Sequence, residues 1–578
     1  MEPSPDRPGA VAGGYTLAVS SDCLLLSLPQ GVDRQRLDGW RFQVFELGEG
    51  EEQGYHRPNR PDGEWAEVDA MTMRGRPDAS SIWYRTEFAH PGWAERTLLR
   101  FDGAIIAANV WLNGKLLGSH YGFPGHFGFD ISSYLETSNV LAVCVQAPDV
   151  AGQLPGPLSE LRDEQGEQWW PLGLVGRVWL EQVGNVVVES VDVSWRLAPG
   201  TAEANLKTVV RNLDARDMDA LVGWQLIPPD TETAQVRWRR SVRLTGGQAK
   251  TLETTVAVDR PQLWWPWTLG EQHLYDLMAQ VEVDGRRATA TGRQLGIRQI
   301  DLDATVGGMS WTINGRRHFP RGAVLPPLPP GAGGDPIGAW RLAGLDLAVS
   351  RGQLPSERTA ASADVAGVLL VVDPPVFVPG QGDERAHRHH QREAISLVAS
   401  HASAAVLLQR SGPGLHESLP NAAASGEPYS LTGIDRAEVE SVRRAKYDPQ
   451  TALVLKALPD LEEGAGYLAA TAALLEWHEL VDRDALMLRF HVVNDELAVH
   501  GRALVRWRMK ALEPTGWLPF VRDRGGDISV LIPGPEREPA VYEDEVSLPR
   551  GRGPVLIEVG LEQDGEMLSY LEYEVDPG

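Results

Sequence analysis

The acids of this chain that could work as a pair lie far apart in sequence, and each closes or follows an apolar run. Asp373 ends the run DVAGVLLVVD (364–373), directly before Pro374-Pro375. Glu417 lies in the loop after the run AAVLL (404–408), and Glu462-Glu463 follow TALVLKAL (451–458). Two carboxyl groups brought to face one reacting bond can serve as a general acid and a nucleophile or base. Each acid also has a plainer reading: an acid before prolines is commonly a turn residue, and paired glutamates in a loop are commonly solvated. His387, His389 and His390 are the one histidine cluster. His389 and His390 would point about 100° apart on a helix, and no carboxylate–histidine spacing accompanies them, so they read as a solvated helix start rather than a metal site. No glycine-rich phosphate loop, Gly-x-Ser-x-Gly elbow or paired-cysteine motif is present, and no cofactor is expected.

Composition narrows the partners. Across 578 residues, Lys+Arg 54 against Asp+Glu 79 leaves a net charge of −25, with no basic stripe of the kind a nucleic-acid surface needs. The length suggests roughly three to five domains. Cys23 and Cys144 are the only cysteines and read as buried, reduced thiols. The N-terminus has no basic segment leading into a long apolar run. The longest apolar candidate, residues 365–378, is broken by Asp373-Pro374-Pro375 and cannot span a membrane. A cytoplasmic protein without membrane contact is the expectation. Nineteen tryptophans suit either sugar stacking or large cores, so their number decides nothing.

The elements that would position these acids are mostly strands. Asn109-Val110-Trp111-Leu112 alternates, Asn113-Gly114 is a strong hairpin signal, and Lys115-Leu116-Leu117-Gly118 begins the return. Residues 204–210, 485–493 and 554–562 alternate in the same way, and Asp564-Gly565 marks another turn. Residues 340–349 read as a short helix feeding a strand. Residues 385–401 and 469–480 read as helices. The chain divides into four blocks: 1–185, 186–302, 303–482 and 483–578.

Several separate motifs, in order, resemble glycoside hydrolase family 2, the β-galactosidase, β-glucuronidase and β-mannosidase group. They are Leu37-Asp38-Gly39-Trp40-Arg41-Phe42, Trp83-Tyr84-Arg85, and the glycine-rich run from Trp169-Trp170-Pro171 into Arg177-Val178-Trp179-Leu180. Leu263-Trp264-Trp265-Pro266-Trp267, Gly296-Ile297-Arg298 and Trp311-Thr312-Ile313-Asn314-Gly315 continue the likeness. The resemblance implies a multidomain, mainly β protein: a jelly-roll sandwich, an immunoglobulin-like sandwich, an α/β barrel and a C-terminal sandwich. The stretch from Trp311 to Leu480 spans about 170 residues, short of the ~250 of a typical eight-fold barrel, so the barrel is expected to be shortened.

In that family the two reacting acids are glutamates at the carboxyl ends of barrel strands. Ser400-His401-Ala402-Ser403 and the following apolar run resemble the segment leading to the acid/base. Register by the histidine and serine places Ser411 on the family's asparagine and Gly412 on its glutamate. Glycine cannot protonate a leaving group. The resemblance also makes Arg298 and Arg321 family-like basic positions, fit to bind an acidic sugar or to form an interdomain salt bridge, while Asp373 could line a substrate pocket.

The leading expectation is a carbohydrate-related member that has lost its hydrolytic pair. A second is a working β-glycosidase that uses Glu417 with Glu462 or Glu463. A third is an assembly protein, which fits a homo-oligomer and binds no sugar.

Overall fold

The computed structural model describes residues 34–576, apart from the longer stretches 147–169, 327–336, 374–400, 409–422, 445–452, 456–468 and 512–523 and the shorter ones 47, 69–71, 76–79, 93, 123–125, 230, 232–233, 306–307, 352–353, 425–429, 433–435, 470, 481–484 and 549–553. Strands dominate, and they build three two-sheet sandwiches around one parallel sheet.

The first sandwich packs an eight-stranded sheet on a four-stranded one. Its hairpin turns where expected. Asn113 and Gly114 take φ of 53° and 79°, the left-handed values that a two-residue turn between twisted strands requires, and they join Ala104–Leu112 to Lys115–Gly122. Phe101, Phe127 and Phe129 fill the space between the sheets, with Phe101 and Phe127 stacked at 4.6 Å. A second aromatic cluster of Trp65, Trp83 and Trp111 lies on the other face of the large sheet, where Trp83 and Trp111 stack at 5.2 Å. The segment covering it is held by Arg85, buried to 1%. Arg85 Nε donates to Asp62 at 2.8 Å, and its other nitrogens donate to the carbonyls of Tyr55, Arg57 and Arg60.

The second sandwich sets the sheet Val186–Ala198, Thr201–Asn212, Ala249–Asp259 against the sheet Val236–Leu244, Met218–Ile227, Leu274–Val283, Arg286–Gly296. A three-stranded meander follows (Ile300–Thr305, Gly308–Ile313, Arg316–His318), and it buries Trp311 completely.

The chain then changes to parallel pairing. Seven strands run in the order Ala423–Ala424, Ala404–Leu408, Leu369–Asp373, Leu347–Arg351, Arg321–Val324, Leu453–Leu455, Ser430–Thr432, and every pair is parallel. The first strand in sequence lies between the second and the last, as in a strand order that wraps round. Among the described residues the two outermost strands do not pair with each other, so the sheet is seen open. The helices Ile337–Leu342 and Glu357–Ala366 precede their strands, the first as the sequence suggests. Ser356 caps the second of these: its Oγ accepts from Thr359 N at 3.1 Å.

One expectation is overturned here. Residues 471–480 are not a helix: Thr471–Leu480 is a strand, paired along its whole length with Ala485–Asn494. It belongs to the last sandwich, whose sheets are Thr471–Leu480, Ala485–Asn494, Ala540–Ser547 and Arg524–Ile532, Gly501–Ala511, Val555–Gln563, Glu566–Val575. The reading of residues 385–401 as a helix falls, except for His401, outside the described residues.

Candidate functional site

Side chains alternate across a strand, so the parallel sheet has two faces that can be read from its packing. Ala323, Ala348 and Leu370 face the helices, packing with Trp340, Ala360 and Ala363 in a core continuous with the last sandwich. Leu347, Val349, Leu369 and Val371 face the other way, against Trp264, Trp311 and Ile313. Arg351 and Asp373 are the next residues in that second set. They stand opposite each other in register at the carboxyl edge of adjacent strands, with Asp373 2% exposed and Arg351 half-buried. Carboxyl ends of parallel strands are where folds of this class place reacting and binding groups.

Gly412 and Glu417 follow the Ala404–Leu408 strand in sequence, and Glu462 and Glu463 follow Leu453–Leu455. All four lie outside the described residues, as do His387, His389 and His390. Among the described residues no group of three or more His, Cys, Asp or Glu side chains is arranged to hold a metal.

The amino edge of the same sheet is a buried charge network. Arg321 begins its strand there with no exposed surface, and its Nε lies 2.9 Å from Asp495 of the last sandwich. Arg443 reaches the same carboxylate oxygen at 3.1 Å. Burial pulls the Arg443 guanidinium down to about 10, against the attraction of Asp495. Arg321 is thus taken up in an interdomain ion pair, and full burial leaves no face of it for a sugar. Beside it, Asp346 accepts from Arg321 N at 2.8 Å and from Thr268 Oγ1 at 2.6 Å, with His318 Nε2 at 2.9 Å. His318 and Asp346 are both fully buried. Burial alone would raise Asp346, but His318, then Arg321 and Thr268, hold it below the usual carboxylate range.

A second network fixes the start of the Ala404–Leu408 strand. Arg298, buried to 4%, donates to the carbonyls of His401 at 3.2 Å and Ala404 at 2.7 Å, and to that of Ala402. Asp364 accepts from Ser403 N at 2.6 Å and contacts His401 Nδ1 at 2.6 Å. His401 Nε2 lies 3.2 Å from Glu357. Glu357 also faces His126 of the first sandwich, at 4.0 Å.

Sequence reasoning used His401 for register and missed this clasp. It also passed over Arg351, although the alternation Leu347, Val349, Arg351 points to it.

Comparison with known proteins follows this geometry. Residues 186–298 match the profile described as glycosyl hydrolases family 2, and residues 50–150 match the second all-beta domain of beta-galactosidase. Over these residues the chain is similar to the family 2 glycosyl hydrolases. The exo-beta-D-glucosaminidase of Amycolatopsis orientalis is 29% identical over 256 residues, which is 42% of this chain and 24% of that protein. The beta-glucuronidase of Bacteroides fragilis is 23% identical over 312 residues, 51% of this chain and 42% of that one. The matches therefore span less than half the length of these curated relatives. In fold the likeness extends further. The crystal structure of the Amycolatopsis orientalis exo-chitosanase superposes with a TM-score of 0.70 at 16% identity, over 94% of this chain and 85% of that one. The beta-D-mannosidase from Dictyoglomus thermophilum gives 0.69 at 14% identity, over 94% and 89%. No helix among the described residues is long and apolar enough to cross a membrane.

Proposed function

We propose that this chain binds carbohydrate at the carboxyl edge of its parallel sheet and has lost the pair of glutamates that would hydrolyse it. The observation that carries the reading is the glycine at 412. His401 and Ser403 anchor the strand on Asp364, and counting from those same residues puts Gly412 where the acid/base glutamate would stand. Glycine can neither donate nor accept a proton, and a retaining mechanism needs two carboxyl groups about 5–5.5 Å apart. The binding half of the proposal is supported by Arg351 and Asp373, side by side at the carboxyl edge on the face turned away from the helices. An arginine and a carboxylate in such a place can grip hydroxyls from both sides.

The test is prolonged incubation of concentrated protein with aryl β-galactoside, β-glucuronide, β-mannoside, β-glucoside and β-glucosaminide. The expected result is no turnover. Turnover that copurified with the chain and vanished in Glu417→Gln, Glu462→Gln or Glu463→Gln would overturn the proposal in favour of a rebuilt glycosidase. Melting in the presence of each free sugar separates binding from pure assembly. A ligand at 100 times its dissociation constant adds about 2.7 kcal/mol, whereas an assembly protein shows no shift with any sugar.

A further inference from the structure

Charge is also gathered on the second sandwich, far in sequence from the parallel sheet. Its outer strand Val236–Leu244 reads VRWRRSVRL, with four arginines and no acid in nine residues of a chain whose net charge is −25. Trp238 fixes which way these side chains point. Its ring stacks on Trp224 of the core, with centroids 5.6 Å apart and planes 14° from parallel. Its neighbours Arg237 and Arg239 must therefore stand on the opposite, outer face.

Both are exposed, and neither makes a side-chain hydrogen bond or ion pair among the described residues. The other two arginines of the strand are engaged: Arg243 pairs with Asp217 and Asp219, and Arg240 donates to the carbonyl of Glu253 at 3.1 Å.

A glycine and two glutamines stand beside the free pair. Gly223 stands opposite Arg239 in register, Gln225 opposite Arg237, and Gln280 on the far side of Gly223. A Cβ built on Gly223 would lie 3.5 Å from Gln280 Cγ and 3.6 Å from Arg239 Cγ, so these two side chains lean over its buried backbone. The two arginines stand about 7 Å apart along the strand, with the Gln225 amide beside them, while the Gln280 amide already donates to Glu282 at 3.0 Å.

We propose that this face binds an acidic, carboxylate-bearing polysaccharide through Arg237 and Arg239. Arginine takes a carboxylate through two parallel hydrogen bonds, and the amides can meet sugar hydroxyls. Nucleic acid fits poorly. A duplex carries a charge every ~1.7 Å, and two guanidiniums on so acidic a chain cannot offset that field. A protein partner fits poorly too, because such interfaces centre on aromatic or aliphatic anchors. None of the large exposed apolar residues, such as Trp477, Leu531 or Tyr570, lies on this strand or its neighbours. Distant acids on the chain are screened beyond roughly 8 Å at physiological salt, while contacts at the arginines are not. Edge strands also use charge to block unwanted pairing, but for that purpose lysine would serve as well as arginine.

The full chain is tested by affinity electrophoresis in gels containing polygalacturonate or uncharged dextran. Polygalacturonate is expected to retard the wild type and dextran to leave it unaffected. R237A/R239A should bind about tenfold more weakly or worse, and R237K/R239K should fall between. An unchanged melting temperature shows that the variants are folded, and the milder R239Q repeats the test should the double variant unfold. The proposal is overturned if polygalacturonate does not retard the wild type, or if R237A/R239A is retarded equally. It is also overturned if sedimentation shows a wild-type oligomer that R237A/R239A dissolves, since the face would then belong to a second copy of the chain.

Discussion

His401 Nδ1 lies 2.6 Å from Asp364 Oδ2, a contact that ties the last turn of one helix to the start of the strand three positions beyond the histidine. The other oxygen of Asp364 takes the Ser403 N–H, so one carboxylate holds both a side chain and the backbone of the same turn. Arg298 closes the turn from the other side by binding its carbonyls. The clasp joins residues far apart in sequence, and it fixes where the Ala404–Leu408 strand enters the sheet.

The clasp makes stability depend on pH. Burial alone would push His401 down from 6.5, but Asp364 and then Glu357 overcome it, and the imidazole is pushed up to about 10. A group whose pKa is raised on folding contributes fully below its unfolded value and loses that contribution as pH climbs through the folded one. Melting temperature is therefore expected to fall between pH 7 and pH 10. His401→Gln should flatten that fall and, by leaving Asp364 buried without its cation, lower stability by about 3–5 kcal/mol. A wild-type melting temperature that stays level across this range would refute the account.

At the other network, Asp495 serves two arginines at once. Asp495→Asn would leave Arg321 and Arg443 buried without their shared carboxylate. A loss of about 3–5 kcal/mol is expected, measured as the shift in urea midpoint. A shift within 0.5 kcal/mol, the ~0.5 kcal/mol typical of surface changes, would mean that the pair is not part of the frame.

In the first sandwich, a Cβ at Gly50 would lie 2.2 Å from Trp83 Nε1. Trp83 is 1% exposed and stacked on Trp111, so it has no room to withdraw. Gly50→Ala should cost about 1–3 kcal/mol, with a change in tryptophan fluorescence as the stack is displaced. Unaltered melting and emission would count against the packing described here.

Arg351 offers the opposite test. It is half-buried and has no side-chain partner among the described residues. Arg351→Ala should change melting by no more than about 0.5 kcal/mol while abolishing any stabilisation by sugars. A strong loss of stability would make it a structural residue rather than a binding one.

Much of the frame was legible in the sequence because it is built from local signals. Asn113-Gly114 and Asp564-Gly565 announce their turns, and both pairs take the left-handed backbone expected of them. The alternation through 204–210 gives a strand directly. Thr471–Leu480 misleads because Ala, Leu and Glu are good helix formers, whereas its environment is a full-length pairing that buries residues 471–475 on both faces. The charge networks were illegible for a different reason. Asp495 and Arg321 are distant in sequence, and nothing local marks either as buried. Of the candidate site, Asp373 stands at a strand's carboxyl end as the apolar run it closes suggested, rather than in the turn that the prolines after it favoured. Arg351 became visible only once packing assigned the faces of the sheet.

The two edges of the parallel sheet answer to different constraints. The arginines, aspartates and histidines that hold the domains together lie at the amino edge, while Arg351 and Asp373 belong to the carboxyl edge. Substitution at the second edge therefore leaves the first untouched. A lineage could drift away from hydrolysis, one acid at a time, without passing through an ancestor that failed to fold. The same separation means that a chain of this kind gives no sign in its stability of whether it is still an enzyme.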